Sequence, residues 1–159
     1  MTDYAHFSDD SRVWIYQTQR LLTTAEVDAL RADLQQFAKS WVSHNRQLRA
    51  FGDVFHHRFV VLMVDESQAG ASGCSIDASV AFLRRQAQIL GTDLFDRLHF
   101  TIRQNGENVY LSKEDFAAWY AAGKINDETL VFDNLVQTKR DFVEAWLKPV
   151  GKSWLKRMV

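Results

Sequence analysis

The residues that could do chemistry are concentrated around the single cysteine of the chain. A continuous apolar run ends in Asp65-Glu66, and a loop of small residues then leads into Ser72-Gly73-Cys74-Ser75. At the start of a helix such residues lie beside unpaired backbone N–H groups, which bind phosphates and carboxylates and stabilise a thiolate. We therefore expect an anionic small molecule to bind these four residues, within the loop and helix start Ser67–Asp77, or a reactive thiol at Cys74.

A catalytic thiol also needs a base and a group that orients the base. The candidate catalytic residues are Cys74 as nucleophile, His44 as base and Asp65 as a carboxylate at a strand end. Three further histidines, His56, His57 and His99, are alternative bases. No cluster of cysteines and histidines has zinc spacing, so no metal site is predicted.

Each of these features also has a structural explanation. A serine at position 72 or 75 caps the helix, and an isolated cysteine commonly packs as a small apolar residue. Asp65 and Glu66 can hold the loop by accepting backbone hydrogen bonds, which is the explanation that we favour for the two carboxylates.

Size and charge exclude several classes of protein. The 159 residues suit a single domain, 1–159, and the net charge of −1 offers no basic face for nucleic acid. No apolar run approaches the length of a membrane span, and Met1–His6 lacks the order of charges and apolar residues typical of a signal peptide. We expect a bacterial-type cytoplasmic protein with no cofactor, no membrane partner and no nucleic-acid partner.

The hydrophobic pattern predicts alternating strands and helices. Residues 1–11 read as a loose lead-in, and residues 43–49 as a polar connection that ends in a turn at Gly52-Asp53. The most regular helix follows Thr23 or Thr24, with Glu26 supporting its first turn. The other predicted strands are 12–17, 55–64, 98–103, 108–111 and 129–132, and the apolar second half of 55–64 indicates a central position in the sheet. A turn with Asn-Gly chemistry is predicted at 104–107. Helices are predicted to start near Ser75 and at Ser112, and a last helix is predicted from Thr138 to Lys148.

The second helix is predicted to turn one apolar face inward and to end at a glycine. That face consists of Ile76, Val80, Leu83, Ala87 and Leu90, and Gly91 is the stop signal. With four to five strands and three to four helices, the sequence favours an α+β fold with a mixed or mainly antiparallel sheet. A strand that leads through a loop into a helix keeps α/β as the alternative.

Several blocks of the chain resemble a family of short bacterial proteins of about this length. They are Trp14–Gln17, Phe37–His44, Val64–Glu66, Ser72-Gly73-Cys74-Ser75-Ile76-Asp77, Leu94–Arg97, Thr129–Phe132 and Ser153-Trp154. Members of this uncharacterised family are often labelled "ABC transporter ATPase". The resemblance covers nearly the whole chain and implies no established activity.

The ATPase label does not fit the residues. Hydrolysis by a transporter ATPase requires a Gly-x-x-x-x-Gly-Lys-Ser/Thr loop, and the sequence contains none. The first expectation is instead a binding or interaction protein. The alternatives are a thiol-dependent enzyme that uses Cys74, and a homodimeric interaction module formed through aromatic side chains or the tail at Trp154.

Overall fold

The computed structural model describes residues 3–159 and has an α+β fold. Within that range the chain forms four α-helices and nine β-strands, and the paired strands are antiparallel. The predicted fold class is therefore confirmed. The strands are distributed over sheets of three, two and four strands, where the sequence suggested one sheet of four to five.

The chain divides into two compact units. Unit 1 comprises the residues up to Asp96 together with Gln137–Arg140, and unit 2 comprises Arg97–Val136 and Asp141–Val159. Unit 1 contains the candidate functional residues around Cys74. Its elements are β1 (Arg12–Gln17), α1 (Thr24–Ser40), β2 (Val42–Ser43), β3 (Arg46–Gln47), β4 (Arg49–Phe55), β5 (Phe59–Asp65) and α2 (Gly73–Leu90).

Strand β5 is the centre of unit 1. It lies between β1 and β4, and all seven of its residues are buried. The unbroken apolar run predicted this position, because a strand covered on both faces needs no polar alternation. On one face β5 packs with α1 and α2 in the main core, whose largest fully buried members include Leu30, Leu34, Leu62 and Leu83.

Helix α1 begins as the sequence predicts. The Thr23 side chain accepts a hydrogen bond from the Glu26 backbone, and the Glu26 carboxylate accepts one from the Thr23 backbone, which together form a capping box. Arg20 also pairs with Glu26, at 2.7 Å. The hydrogen bonds from Arg20 and Thr23 lower the pKa of Glu26 from 4.5 to about 2.

The turn predicted at Gly52-Asp53 is wrong, because both residues lie inside β4. A Cβ at position 52 would lie 3.1 Å from Leu62 Cδ2 and 3.4 Å from the Leu34 side chain. Glycine at position 52 therefore allows the close approach of α1 to the sheet. The buried Asp53 carboxylate accepts hydrogen bonds from Arg31 at 2.5 Å and from the Val54 N–H at 2.7 Å, so a charged residue fits within this strand.

The strand predicted over residues 55–64 is also interrupted. His56 and His57 have left-handed backbone angles, with φ of 55° and 56°, and form the turn between β4 and β5. The Arg58 N–H closes this turn by donating to the Phe55 carbonyl at 3.1 Å. Histidine tolerates this region better than β-branched residues do, but composition alone does not reveal such a turn.

Unit 2 is built on an antiparallel sheet with the order β7-β6-β8-β9. Its elements are β6 (His99–Gln104), β7 (Glu107–Ser112), α3 (Lys113–Ala121), β8 (Leu130–Phe132), α4 (Lys139–Ala145, which begins in unit 1) and β9 (Leu147–Pro149), followed by 3₁₀ turns at Val150–Lys152 and Trp154–Met158. The Asn105-Gly106 hairpin and the Ser112 cap are confirmed. The last helix ends at Ala145, earlier than predicted, because Pro149 and the residues before it adopt an extended conformation.

Candidate functional site

The candidate site lies in unit 1, between the end of β5 and the start of α2. The loop Glu66–Ser72, called loop 66–72 below, connects these two elements. The site is described from its two carboxylates, through the loop, to the first turn of the helix.

Asp65 ends β5 with a buried carboxylate that is only 2% exposed. Oδ2 accepts a hydrogen bond from the Ser8 N–H at 3.0 Å, and Oδ1 accepts one from the Ser67 N–H at 3.0 Å. The Arg49 guanidinium lies 3.6 Å from Oδ2. All of these partners belong to the chain itself, so Asp65 holds the backbone in place and does not face an open cleft.

The same contacts determine the ionisation of Asp65. Burial raises the pKa of its carboxyl group, but the hydrogen bonds from Ser67 and Ser8 and the charge of Arg49 outweigh that effect. The pKa therefore lies below its usual range. A general base at neutral pH needs a pKa that is shifted upward, so Asp65 is poorly suited to that role.

Glu66 holds the other end of the loop. Its Oε2 accepts a hydrogen bond from the Ala71 N–H at 2.9 Å, and its Oε1 lies 3.7 Å from Arg12 Nε. A Cβ at Gly70 would come within 2.9 Å of Oε2, so glycine at position 70 leaves room for the Glu66 carboxylate in this arrangement. Both carboxylates thus form the backbone hydrogen bonds that the structural explanation predicts.

Helix α2 begins with a serine cap. The Ser72 side chain accepts a hydrogen bond from the Ser75 N–H, and the Ser75 hydroxyl donates to the Ser72 carbonyl at 2.7 Å. Ser75 is buried, at 3% exposure. Of the two serines predicted to bind a ligand, Ser75 is therefore enclosed and Ser72 is partly exposed.

The buried face of α2 differs from the predicted one. Ser75, Ser79 and Gln86 are buried beside Phe82 and Leu83, whereas Ile76 and Val80 are only partly buried. The inward serines are satisfied locally, since the Ser79 hydroxyl donates to the Ile76 carbonyl at 2.6 Å. The helix ends at Gly91 in the left-handed conformation, as predicted.

Gly73 and Cys74 occupy the first turn of α2 and are exposed. Within residues 3–159, their backbone N–H groups have no hydrogen-bond partner, because no earlier helical carbonyl exists for them. Apart from its chain neighbours and the backbone of its own helix, no atom lies within 4 Å of a Cβ built on Gly73, so a side chain at this position would enter open space. The accessible chemistry of the site therefore consists of two backbone donors and one free thiol.

His44 lies at the tip of the β2–β3 hairpin, is exposed and has a φ of 51°. This hairpin follows Trp41, whose indole N–H donates to the Ser75 carbonyl at 2.8 Å. The hairpin is thus attached to the first turn of α2. In the described part of the chain, no hydrogen bond or ion pair joins Cys74, His44 and Asp65 to one another.

The other candidate bases lie elsewhere. His56 and His57 form the β4–β5 turn, where His57 Nδ1 lies 3.1 Å from the Leu22 carbonyl oxygen, and His99 belongs to β6 of unit 2. Among the described residues, no group of three or more His, Cys, Asp or Glu side chains is arranged to hold a metal ion.

Sequence reasoning missed the residues that position the site. The contact from Ser8 to Asp65 spans 57 residues, and that from Trp41 to Ser75 spans 34. Neither Arg12 nor Arg49 carries a local signal for its carboxylate partner. The pairings of the two arginines with Glu66 and Asp65 depend on the strand order β1-β5-β4, which cannot be read from the periodicity of one sequence.

Comparison with known protein families, curated proteins and solved structures finds no match to this chain. The resemblance to a family of short bacterial proteins therefore stays a prediction. No helix formed by residues 3–159 is long and apolar enough to cross a membrane.

The structural role of Asp65 predicts the effect of Asp65→Asn. The amide would turn a donor toward the N–H of Ser8 or Ser67, so we expect a loss of about 1–3 kcal/mol in the free energy of unfolding at pH 7. Because the pKa of Asp65 is lower in the folded state, its stabilisation is present above the unfolded pKa of about 3.9 and is lost as the pH falls through the folded pKa. In Asp65→Asn, the free energy of unfolding should therefore lack the part of its pH dependence that comes from the Asp65 carboxyl group.

Urea unfolding between pH 2 and pH 7 measures both effects, the pH range being chosen to span the carboxyl pKa of about 3.9. The matched control is Asp77→Asn, since Asp77 is exposed and its change should stay within about 0.5 kcal/mol. Equal stability of the two variants would contradict the structural role of Asp65.

Proposed function

We propose that this protein is a cytoplasmic, non-catalytic binding protein whose contact region is loop 66–72 and the start of α2. Its ligand is an anionic small molecule that accepts hydrogen bonds from the N–H groups of Gly73 and Cys74. The observation that carries the proposal is this exposed pair of donors at the start of an 18-residue helix. Helix amino ends attract anions through the free N–H groups and the helix dipole together.

The electrostatics near the loop are compatible with an anion. The two carboxylates closest to the loop are each near an arginine, at 3.6 Å for Asp65–Arg49 and 3.7 Å for Glu66–Arg12. Their negative charge is therefore largely balanced. The loop is also held at both ends by hydrogen bonds to these carboxylates, so little conformational entropy would be lost on binding.

A binding role fits the residues better than hydrolysis of ATP. The sequence contains no phosphate-binding loop with its lysine, and the carboxylates beside the helix are occupied by backbone N–H groups. The remaining backbone donors can hold an anion but supply neither a base nor a metal.

Substitution of Gly73 by proline tests the proposal directly. Position 73 is the first helical residue, where proline is well tolerated, and Ser72 already has the extended angles (φ −88°, ψ 169°) that proline requires of the residue before it. Gly73→Pro removes one ligand donor and preserves the helix. We expect anion affinity to fall by about tenfold or more, the effect of losing a hydrogen bond to a charged group.

The probes are inorganic phosphate, pyrophosphate and citrate, titrated while the amide signals of Gly73 and Cys74 are followed by NMR. Gly73→Ala is the matched control, because it keeps the N–H group and should keep the affinity. Absence of shifts at these two amides with all three probes, or equal affinity of the proline and alanine variants, would overturn the proposal.

A second candidate function is supported by the exposure of Cys74. An accessible thiol in the first turn of a helix suits a thiol-dependent enzyme with Cys74 as nucleophile and His44 as base. The sequence left open that Cys74 packs in the core, and its exposure excludes that explanation.

For this candidate we expect iodoacetamide to modify Cys74 in the folded protein faster than it modifies glutathione under the same conditions. His44→Gln should slow this modification if the histidine acts on the thiol. A rate equal to that of glutathione in both proteins would remove the enzymatic candidate.

A further inference from the structure

The segment before β1, residues 4–11, has no helix or strand. It is held to the rest of unit 1 by side chains and by two backbone hydrogen bonds, from the N–H groups of Lys139 and Arg140 to the carbonyls of Ser11 and Asp9 at 2.8 and 3.0 Å. Lys139 Nζ donates hydrogen bonds to the carbonyls of Ala5 at 3.1 Å and Phe7 at 2.8 Å. The Phe7 ring is buried, and the Arg49 guanidinium lies over it at 5.0 Å from the ring centroid. Residues 4–11 of the loose lead-in expected from the sequence are therefore a fixed part of the fold, which we call segment 4–11. Residues 1 and 2 lie outside the described range.

Segment 4–11 and loop 66–72 share one carboxylate. Asp65 Oδ2 holds the Ser8 N–H, and Asp65 Oδ1 holds the Ser67 N–H at the start of the loop. The next residue repeats the arrangement, because Glu66 contacts Arg12, directly after the segment, and accepts from the Ala71 N–H at the end of the loop. Asp65 thus connects the segment with the start of the loop, and Glu66 connects the first residue of β1 with the end of the loop.

We propose that segment 4–11 is a conformational switch for loop 66–72. When the segment is docked, the Asp65 carboxylate is shielded from water and holds the Ser67 N–H. When the segment undocks, the carboxylate becomes hydrated, and water competes for the bond to Ser67, so the loop opens with the segment. The effect of this switch on ligand affinity rests on the binding function proposed above. The coupling between segment 4–11 and loop 66–72 does not depend on that function.

The manner of attachment makes the segment suited to opening. Parts of a protein held by scattered contacts open at lower free energy than strands in a ladder. Segment 4–11 is held by side-chain contacts of Lys139, Arg49, Arg140, Asp65 and Phe7 and by two backbone hydrogen bonds, whereas β5 is paired on both sides along its whole length. The segment can therefore open while the sheet stays intact.

Hydrogen exchange of the full chain without ligand tests the coupling. Lys139→Met removes the two hydrogen bonds that Lys139 Nζ donates to the carbonyls of Ala5 and Phe7. Asp65 and the loop residues are unchanged in this variant. We expect exchange of the Ser8, Ser67 and Ala71 amides to accelerate together by about tenfold, the effect of losing a hydrogen bond to a charged group, while the amides of β5 keep their rates. Phe7→Ala, which removes the buried ring, should produce the same pattern.

The matched control is Lys156→Met in unit 2, where the lysine donates to Tyr120 and Asp127, and it should leave all three amides unchanged. Acceleration at Ser8 with unchanged rates at Ser67 and Ala71 would overturn the proposal. Unchanged rates at Ser8 in both variants, or equal acceleration in β5, would overturn it as well. None of these readouts involves ligand, so a failure of the binding function leaves this test intact.

Discussion

A buried carboxylate at the end of the central strand imposes the main constraint on unit 1. An ionised side chain that is removed from water is tolerated only when its oxygens are hydrogen-bonded and a countercharge is near. Asp65 meets this requirement through Ser8, Ser67 and Arg49. Ser8 lies in the segment before β1, Ser67 at the start of loop 66–72 and Arg49 at the start of β4. The contacts of one carboxylate therefore fix the positions of these three parts of the chain relative to β5.

This constraint changes what the region around Cys74 can do. A carboxylate beside a thiol and a small-residue loop suggests acid–base chemistry, but Asp65 and Glu66 are used to hold the loop. The exposed part of the site is the first turn of α2. Among the described residues, the N–H groups of Gly73 and Cys74 have no hydrogen-bond partner there, and the Cys74 thiol is exposed. This surface is the basis of the binding role and of the thiol chemistry proposed above.

Local signals in the sequence were sufficient where the partners are close along the chain. The capping box at Thr23 and Glu26, the Asn105-Gly106 turn and the stop at Gly91 each depend on residues within about five positions. The central position of β5 was also predictable, because an unbroken apolar run is typical of a strand that is covered on both faces.

The remaining features depend on contacts between distant residues. Gly52-Asp53 has the composition of a turn but forms part of a strand, because Leu34 and Arg31 of α1 supply the close packing and the countercharge. The buried face of α2 includes Ser75 and Ser79, whose hydroxyls donate to the carbonyls of Ser72 and Ile76. These local hydrogen bonds allow the serines to be buried, and a hydrophobicity pattern does not predict their burial because serine is polar.

The most direct test of the central role of Asp65 is an NMR pH titration of its carboxyl carbon together with the amide protons of Ser8 and Ser67. If the carboxylate holds both backbone groups, its pKa lies below the usual value of about 3.9, and both amide signals move with the same midpoint. A carboxyl group that titrates at about 3.9 or above, with amide signals that do not follow it, would contradict the account.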